Sequence, residues 1–172
     1  MYALKLKRTD EHIETGGAKM DRLVAHDVFG FLRPEQVDAI SERAEQITVP
    51  AGATVYDRGA KAEYLYTVLD GEVTLRLPGT GGFSVAIDEL QKGDMFGSCA
   101  CFQRESYALT AQCTEDSMLL RIESSALKDL MDNDLVMGYA LQTRLSAIYF
   151  GRYIDTMRKL QAITMSLPIE VG

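Results

Sequence analysis

Apolar residues change their spacing twice along the chain. In residues 1–19 they show no clean period, and Gly16-Gly17 lies near the end, so this stretch reads as a poorly ordered arm or a loosely docked strand. From Met20 the spacing turns helical: Leu23, Val24 and Val28 share a face, and Phe29 and Phe31 flank a break at Gly30. Pro34 suits the first turn of a second helix, where its missing N–H leaves nothing unpaired. Val37, Ile40, Ala44 and Ile47 then fall at i, i+3, i+7 and i+10, which predicts one amphipathic helix that ends at Pro50-Ala51-Gly52.

From 51 to 123 the pattern is short β-rich or alternating segments with turn signals between them. Segments 54–56, 64–69, 72–77, 83–90, 108–113 and 117–122 read as strands. Asp57-Arg58-Gly59, Asp70-Gly71, the 78–82 loop and Lys92-Gly93-Asp94 read as turns. Many short strands separated by glycine turns predict an antiparallel β-roll, a jelly roll of the double-stranded β-helix kind, and not a parallel α/β sheet.

After Glu123 the helical period returns. Ser124 or Ser125 caps a helix carrying Leu127, Leu130 and Met131, and Asp132-Asn133-Asp134 breaks it. Residues 135–163 then read as one long helix, on the order of 40 Å at 1.5 Å per residue, weakened but not stopped by Gly138 and Gly151. It has two apolar faces. Leu141, Leu145 and Ile148 form one, while Val136, Ala140, Ala147, Phe150, Ile154 and Met157 follow a seven-residue repeat and form the other. Two apolar stripes call for two packing partners, and the natural pair is the chain's own roll and a second copy of the helix. The predicted organisation is an arm (1–19), one domain (20–164, with helices at 20–50, the roll at 51–123 and helices at 124–164) and a tail (165–172). The predicted dimer seam is Ala140, Ala147, Phe150, Ile154 and Met157, with Phe150 and Ile154 as anchors.

Composition narrows the function. A chain of 172 residues, 47% hydrophobic and 25% charged, has a globular composition and enough length to bury a core without a disulfide or metal. With 18 Lys and Arg against 25 Asp and Glu, its net charge of -7 argues against a surface built to neutralise nucleic-acid phosphates. No apolar run approaches the ~20 residues that span a bilayer, and residues 1–10 are polar and basic, unlike a secretory signal. The three cysteines, Cys99, Cys101 and Cys113, have no CxxC spacing and read as free thiols of a reduced, cytoplasmic protein. Only His12 and His26 exist, both ahead of the roll, so the inward-facing histidines of a metal-dependent cupin enzyme are lacking. No GxSxG, HExxH or P-loop pattern occurs, and the chain reads as non-enzymatic.

The order helix–helix–roll–helix–long helix resembles the cyclic-nucleotide-binding domain family of catabolite-activator-type regulators, cyclic-AMP-dependent kinases and nucleotide-gated channels. The matching residues are Val49-Pro50-Ala51-Gly52, Gly59, the run from Tyr64 through Asp70-Gly71-Glu72-Val73, and Lys92-Gly93-Asp94-Met95-Phe96-Gly97, which looks like the entry to the family's phosphate-binding cassette. The resemblance implies a ligand-sensing module with a small anionic ligand, cyclic AMP or cyclic GMP, and a homodimer formed through the C-terminal helix. The family's regulators continue from that helix into a helix-turn-helix domain. Here the tail is short, so no direct DNA contact is expected from this chain, which reads as a stand-alone sensor or a fragment.

The same resemblance marks where the cassette departs. Its Phe-Gly-Glu becomes Phe96-Gly97-Ser98, and the arginine that forks onto the cyclic phosphate is replaced by Tyr107, just before Ala108. Losing a buried guanidinium partner costs about 2–5 kcal/mol, tens- to thousands-fold in affinity. The implied ligand positions are therefore Gly97, Ser98, Cys99, Arg104, Tyr107 and Ala108, with weakened nucleotide affinity. Gly97 is placed to offer backbone N–H groups to an anion; Ser98 caps a helix or makes one hydrogen bond. Arg104 swings inward or stays solvated beside Glu105; Tyr107 stacks on a ligand ring or plugs the pocket. Cys99 and Cys101 are reactive thiols or small apolar fillers. The competing reading is a structural or protein-interaction domain that kept the fold and lost the pocket.

Overall fold

The computed structural model describes residues 14–19, 29–97 and 104–166, with side chains at 29–97 and 104–162. Nine strands occur among them: β1 (Glu14–Lys19), β2 (Ala44–Val49), β3 (Thr54–Tyr56), β4 (Tyr64–Asp70), β5 (Val73–Pro78), β6 (Ser84–Leu90), β7 (Met95–Phe96), β8 (Thr110–Cys113) and β9 (Ser117–Glu123). Three α-helices accompany them: α1 (Pro34–Ser41), α2 (Ser124–Asn133) and α3 (Leu135–Ser166). The strands pair antiparallel in two sheets, ordered β1-β2-β9-β4-β7 and β3-β8-β5-β6. The architecture is an antiparallel β-roll with flanking helices and a long C-terminal helix.

Strand alternation distributes the apolar residues between two cores. Ile47, Val49, Tyr66, Val68 and Leu119 of the first sheet face Val73, Leu75, Ala111 and Cys113 of the second. Residues one position along, Leu65, Leu69, Leu120 and Ile122, face the helices, where Val37, Ile40, Leu127, Met137, Leu141 and Leu145 cover them. Strand β4 is apolar almost throughout because both its faces are covered. Cys113 is a buried free thiol in the inter-sheet core, where burial pushes its pKa up.

Residues 44–49 correct one expectation. They form strand β2, not the end of a helix: α1 stops at Ser41, whose Oγ donates back to the Val37 carbonyl at 2.7 Å. Ala44 and Ile47 happen to continue the helical spacing of Val37 and Ile40, but Ile47 and Val49 also alternate, and pairing with β9 from Ala44↔Ile122 to Val49↔Ser117 decides between the two periods. The roll therefore begins before residue 51. The arm holds a docked strand, β1, paired with β2. The predicted helix over Leu23, Val24 and Val28 lies outside the described residues.

The long helix carries the predicted buried face, with Leu141 and Leu145 fully buried and Ile148 packed on the first core. Gly138 sits where a side chain could not: a Cβ there would lie 2.8 Å from the Met131 carbonyl oxygen, so glycine lets α3 cross closely over α2. Of the predicted seam, Phe150 and Met157 are exposed, Ala147 is exposed and Ile154 is half-buried. Ala140 departs from that seam, since it is half-buried against the chain's own first core. Tyr139, Tyr153 and Leu160, exposed beside Val136, Phe150 and Met157, complete two seven-residue rows three positions apart. Among the described residues no helix is long and apolar enough to cross a membrane.

Asp134 joins three elements at the α2–α3 break. Its carboxylate accepts from the Met137 N–H at 3.0 Å, capping α3, and from Gln36 Nε2 at 2.7 Å, and it pairs with Arg33 at 3.1 Å. The Gln36 hydrogen bond, the Met137 N–H and the Arg33 charge hold its carboxyl below the usual carboxylate range. A group depressed in the folded state stabilises fully above its unfolded value of ~3.9 and loses that contribution as pH falls through the folded value. Asp134→Asn keeps a capping oxygen but removes the charge. It is expected to melt below the wild type at pH 7, with the gap closing in strong acid, as read by circular dichroism; a pH-independent gap would mean that the charge contributes nothing.

Candidate functional site

The segment after the undescribed cassette residues is laced to the 59–62 turn. Gly59 N–H donates to the Tyr107 carbonyl and Tyr107 N–H to that of Ala60, each at 2.9 Å, and Ala62 N–H donates to the Glu105 carbonyl. With its backbone so fixed, Tyr107 turns inward and is only 4% exposed. Its ring stacks on Tyr56, with centroids 3.6 Å apart and planes 14° from parallel. Its hydroxyl accepts from the Tyr64 N–H at 3.0 Å and donates to the Tyr64 carbonyl at 3.1 Å.

Tyr66 and Phe96 stack beside this pair at 5.1 Å. Burial, then the neighbouring Tyr107 phenol, push the Tyr66 phenol far above its ordinary pKa, so it stays neutral and uncharged at any physiological pH. Arg121 lies 4.7 Å over the Tyr64 ring and pairs with Glu45 at 2.8 Å, which satisfies it structurally.

Gly97 belongs to the same cluster. Its φ is +78°, and a Cβ there would come 2.9 Å from both the Tyr64 carbonyl oxygen and the Tyr66 ring. Only glycine lets the cassette entry lie this close to β4. The structure thus brings Gly97 and Tyr107 together. Arg104 and Ala108 are exposed. Ser98 and Cys99, with Cys101, lie outside the described residues.

A cleft of about 270 Å³ opens between the inner face of the second sheet and α3. Leu75, Ile87 and Leu109 supply its apolar floor, and Leu75 and Leu109 are continuous with the inter-sheet core. Tyr149, Arg152, Thr156 and Lys159 supply its roof. Arg152 Nε pairs with Asp88 Oδ2 of β6 at 2.7 Å, and its guanidinium lies 5.8 Å from the Tyr149 ring centre. Lys159 Nζ donates to the Ile87 carbonyl at 3.2 Å. These residues were missed by reasoning from the cassette alone. Their signal was the spacing: 149, 152, 156 and 159 stand at i, i+3, i+7 and i+10, one helical stripe that continues the face of Leu141, Leu145 and Ile148. Among the described residues, no group of three His, Cys, Asp or Glu side chains could hold a metal ion.

Tyr107→Phe tests the first cluster. It keeps the stack on Tyr56 but removes the acceptor of the partly buried Tyr64 N–H, which is expected to lower stability by about 1–3 kcal/mol in urea denaturation. An unchanged midpoint would show that the hydroxyl contacts are dispensable.

The cyclic nucleotide-binding domain family model matches residues 46–134. Among curated proteins, none matches the sequence. Solved structures share the fold. A putative cyclic nucleotide-binding protein from Geobacter metallireducens is 23% identical, with a TM-score of 0.67 over 77% of this chain and 96% of that one. The sensor domain of the transcriptional regulator DNR from Pseudomonas aeruginosa is 20% identical, with a TM-score of 0.62 over 74% and 91%. The catabolite activator protein of Thermus thermophilus is 23% identical, with a TM-score of 0.64 over 80% of this chain and 62% of that one. With roll, cassette entry and long helix in the arrangement of that family, and its model matched over more than half of the residues, the chain belongs to the cyclic nucleotide-binding domain family.

Proposed function

We propose that the chain is a non-catalytic, cytoplasmic ligand-sensing module whose ligand occupies the cleft between roll and long helix. The observation that carries this reading is the cleft itself: an apolar floor from the roll and a polar, cationic roof from α3, the composition of a small-molecule site. A ligand there touches roll and helix at once, so its binding energy depends on how the two are set against each other.

Cyclic AMP and cyclic GMP are weak ligands in this reading. Tyr107 stands where the family's arginine is expected, its ring faced by Tyr56 and its hydroxyl engaged by Tyr64. That same observation favours the second reading, a structural or protein-interaction domain whose pocket has closed. Calorimetry on the intact chain with cyclic AMP, cyclic GMP and a cyclic dinucleotide separates them. The sensing reading expects binding weaker than ~10 μM for the two mononucleotides, strengthened by Ser98→Glu with Tyr107→Arg. Tight binding of cyclic AMP by the unmodified chain would refute the account of Tyr107.

The module is proposed to act as a homodimer through α3. Val136, Phe150 and Met157 form one exposed apolar row and Tyr139, Tyr153 and Leu160 the other, the spacing of a two-stranded seam, with Ala147 and Ile154 flanking it. Phe150→Glu with Met157→Glu is expected to give a monomer by light scattering where the native chain gives a dimer. A native monomer would sink the proposal.

A further inference from the structure

We infer that Lys159 guards the free edge of β6, keeping the second sheet from growing by strand pairing with a second copy of the chain. The inference stands apart from the ligand-sensing reading and involves no ligand. In the order β3-β8-β5-β6, β6 is the last strand, so among the described residues one of its edges pairs with β5 and the other with no strand. Such an edge presents backbone N–H and C=O groups that another strand can take up. The segment Phe83-Ser84-Val85-Ala86-Ile87 suits that use. It carries no charge, on a chain with 25 acidic residues, and Phe83 and Val85 are 80% and 61% exposed. Laid antiparallel on its own copy and centred on Val85, it opposes Phe83 with Ile87 and Ser84 with Ala86, so no like charges meet. A second copy is therefore the occupant that this edge fits.

Two features of the structure close the edge. Leu75 pairs with Asp88 and Arg76 with Ala86, which leaves Ile87 as an extra residue of β6 with no partner on β5. A bulge of this kind bends an edge and interrupts the even run of hydrogen bonds that a new strand would need. The Ile87 carbonyl is then taken by Lys159 Nζ at 3.2 Å, and the carboxylate of the next residue, Asp88, by Arg152 Nε at 2.7 Å. Arg152 is largely buried, whereas Lys159 is exposed. Water replaces an exposed hydrogen bond at small cost, so the lysine contributes little to folding. Its effect falls on an incoming strand, which must displace the ammonium and strip water from its charge to pair past Ala86. Lysine at a strand edge works against association rather than for stability.

The test compares the full chain with its variants by sedimentation velocity over a concentration series, each read against the native chain's own state. Lys159→Met keeps the length of the side chain without its charge or donor. It is expected to associate beyond the native state at concentrations at least ~10-fold lower than the native chain does. In the associated form the amides of residues 84–87 should gain protection from hydrogen exchange, the mark of strand pairing as opposed to apolar adhesion. Lys159→Arg should behave as the native chain. Val85→Lys added to Lys159→Met returns a charge to the edge and should restore the native behaviour. Lys159→Ala replaces the methionine variant if that one fails to fold. Native behaviour of the uncharged variants overturns the role of Lys159. So does association without protection at 84–87, or association that Val85→Lys leaves in place.

Discussion

Both edges of β9 are hydrogen-bonded, to β2 from Ala44↔Ile122 through Val49↔Ser117 and to β4 from Tyr64↔Glu123 through Asp70↔Met118, and both of its faces are covered. Leu119 points to the second sheet; Leu120 and Ile122 point to the helices. A strand enclosed on four sides cannot slip by one residue without exchanging its two apolar sets. Its register therefore sets the depth of β2 and β4, and through them the level at which each helix meets the roll. Arg121 shows the strictness of this placement. It is a charged residue on the face of β9 that carries Leu119, and it is accommodated by Glu45 on one side and the Tyr64 ring on the other.

The long helix answers to three environments. Met137, Leu141 and Leu145 bury into the first core, Arg152 and Lys159 reach the second sheet, and Val136, Phe150 and Met157 stand in the open. The roll-facing contacts lie on one side of the helix and the exposed row on the other. Its attachment is apolar near the N-terminus and polar beyond Ile148. Polar contacts exchange readily with water and with ligand, whereas a buried leucine has no alternative partner. The half of α3 beyond Ile148 is accordingly the half held to the roll by Asp88 and the Ile87 carbonyl.

The strands and turns were legible in the sequence because alternation and turn chemistry are local: Asp70-Gly71 and Lys92-Gly93-Asp94 mark bends whatever surrounds them. Residues 44–49 were not, because four apolar positions satisfied a helical period by coincidence, and the deciding partner, β9, lies some seventy residues away. The cassette residues Gly97 and Tyr107 were legible as positions, and the structure brings them into one cluster. What the sequence hid is the cleft. Its floor comes from β5, β6 and the segment before β8, and its roof from α3, so no contiguous motif contains it. The spacing of Tyr149, Arg152, Thr156 and Lys159 was visible as a polar continuation of the Leu141, Leu145 and Ile148 face, but nothing local says that this polar half meets the roll.

Tyr107 and Arg152 are best understood together. Tyr107, where the resemblance places the family's arginine, is engaged through its ring by Tyr56 and through its hydroxyl by both backbone groups of Tyr64. Displacing it would break a stack and strand a partly buried N–H, so this position resists being reopened by a ligand. Arg104, the nearest cation in sequence, is exposed. The positive charge available to the cleft comes from the helix, where Asp88 holds Arg152 by its Nε edge alone. That polar half of α3 also carries part of the exposed apolar row, Phe150 and Met157. The Arg152–Asp88 pair at 2.7 Å ties α3 to β6, so a shift of the helix against the second sheet must first break that contact.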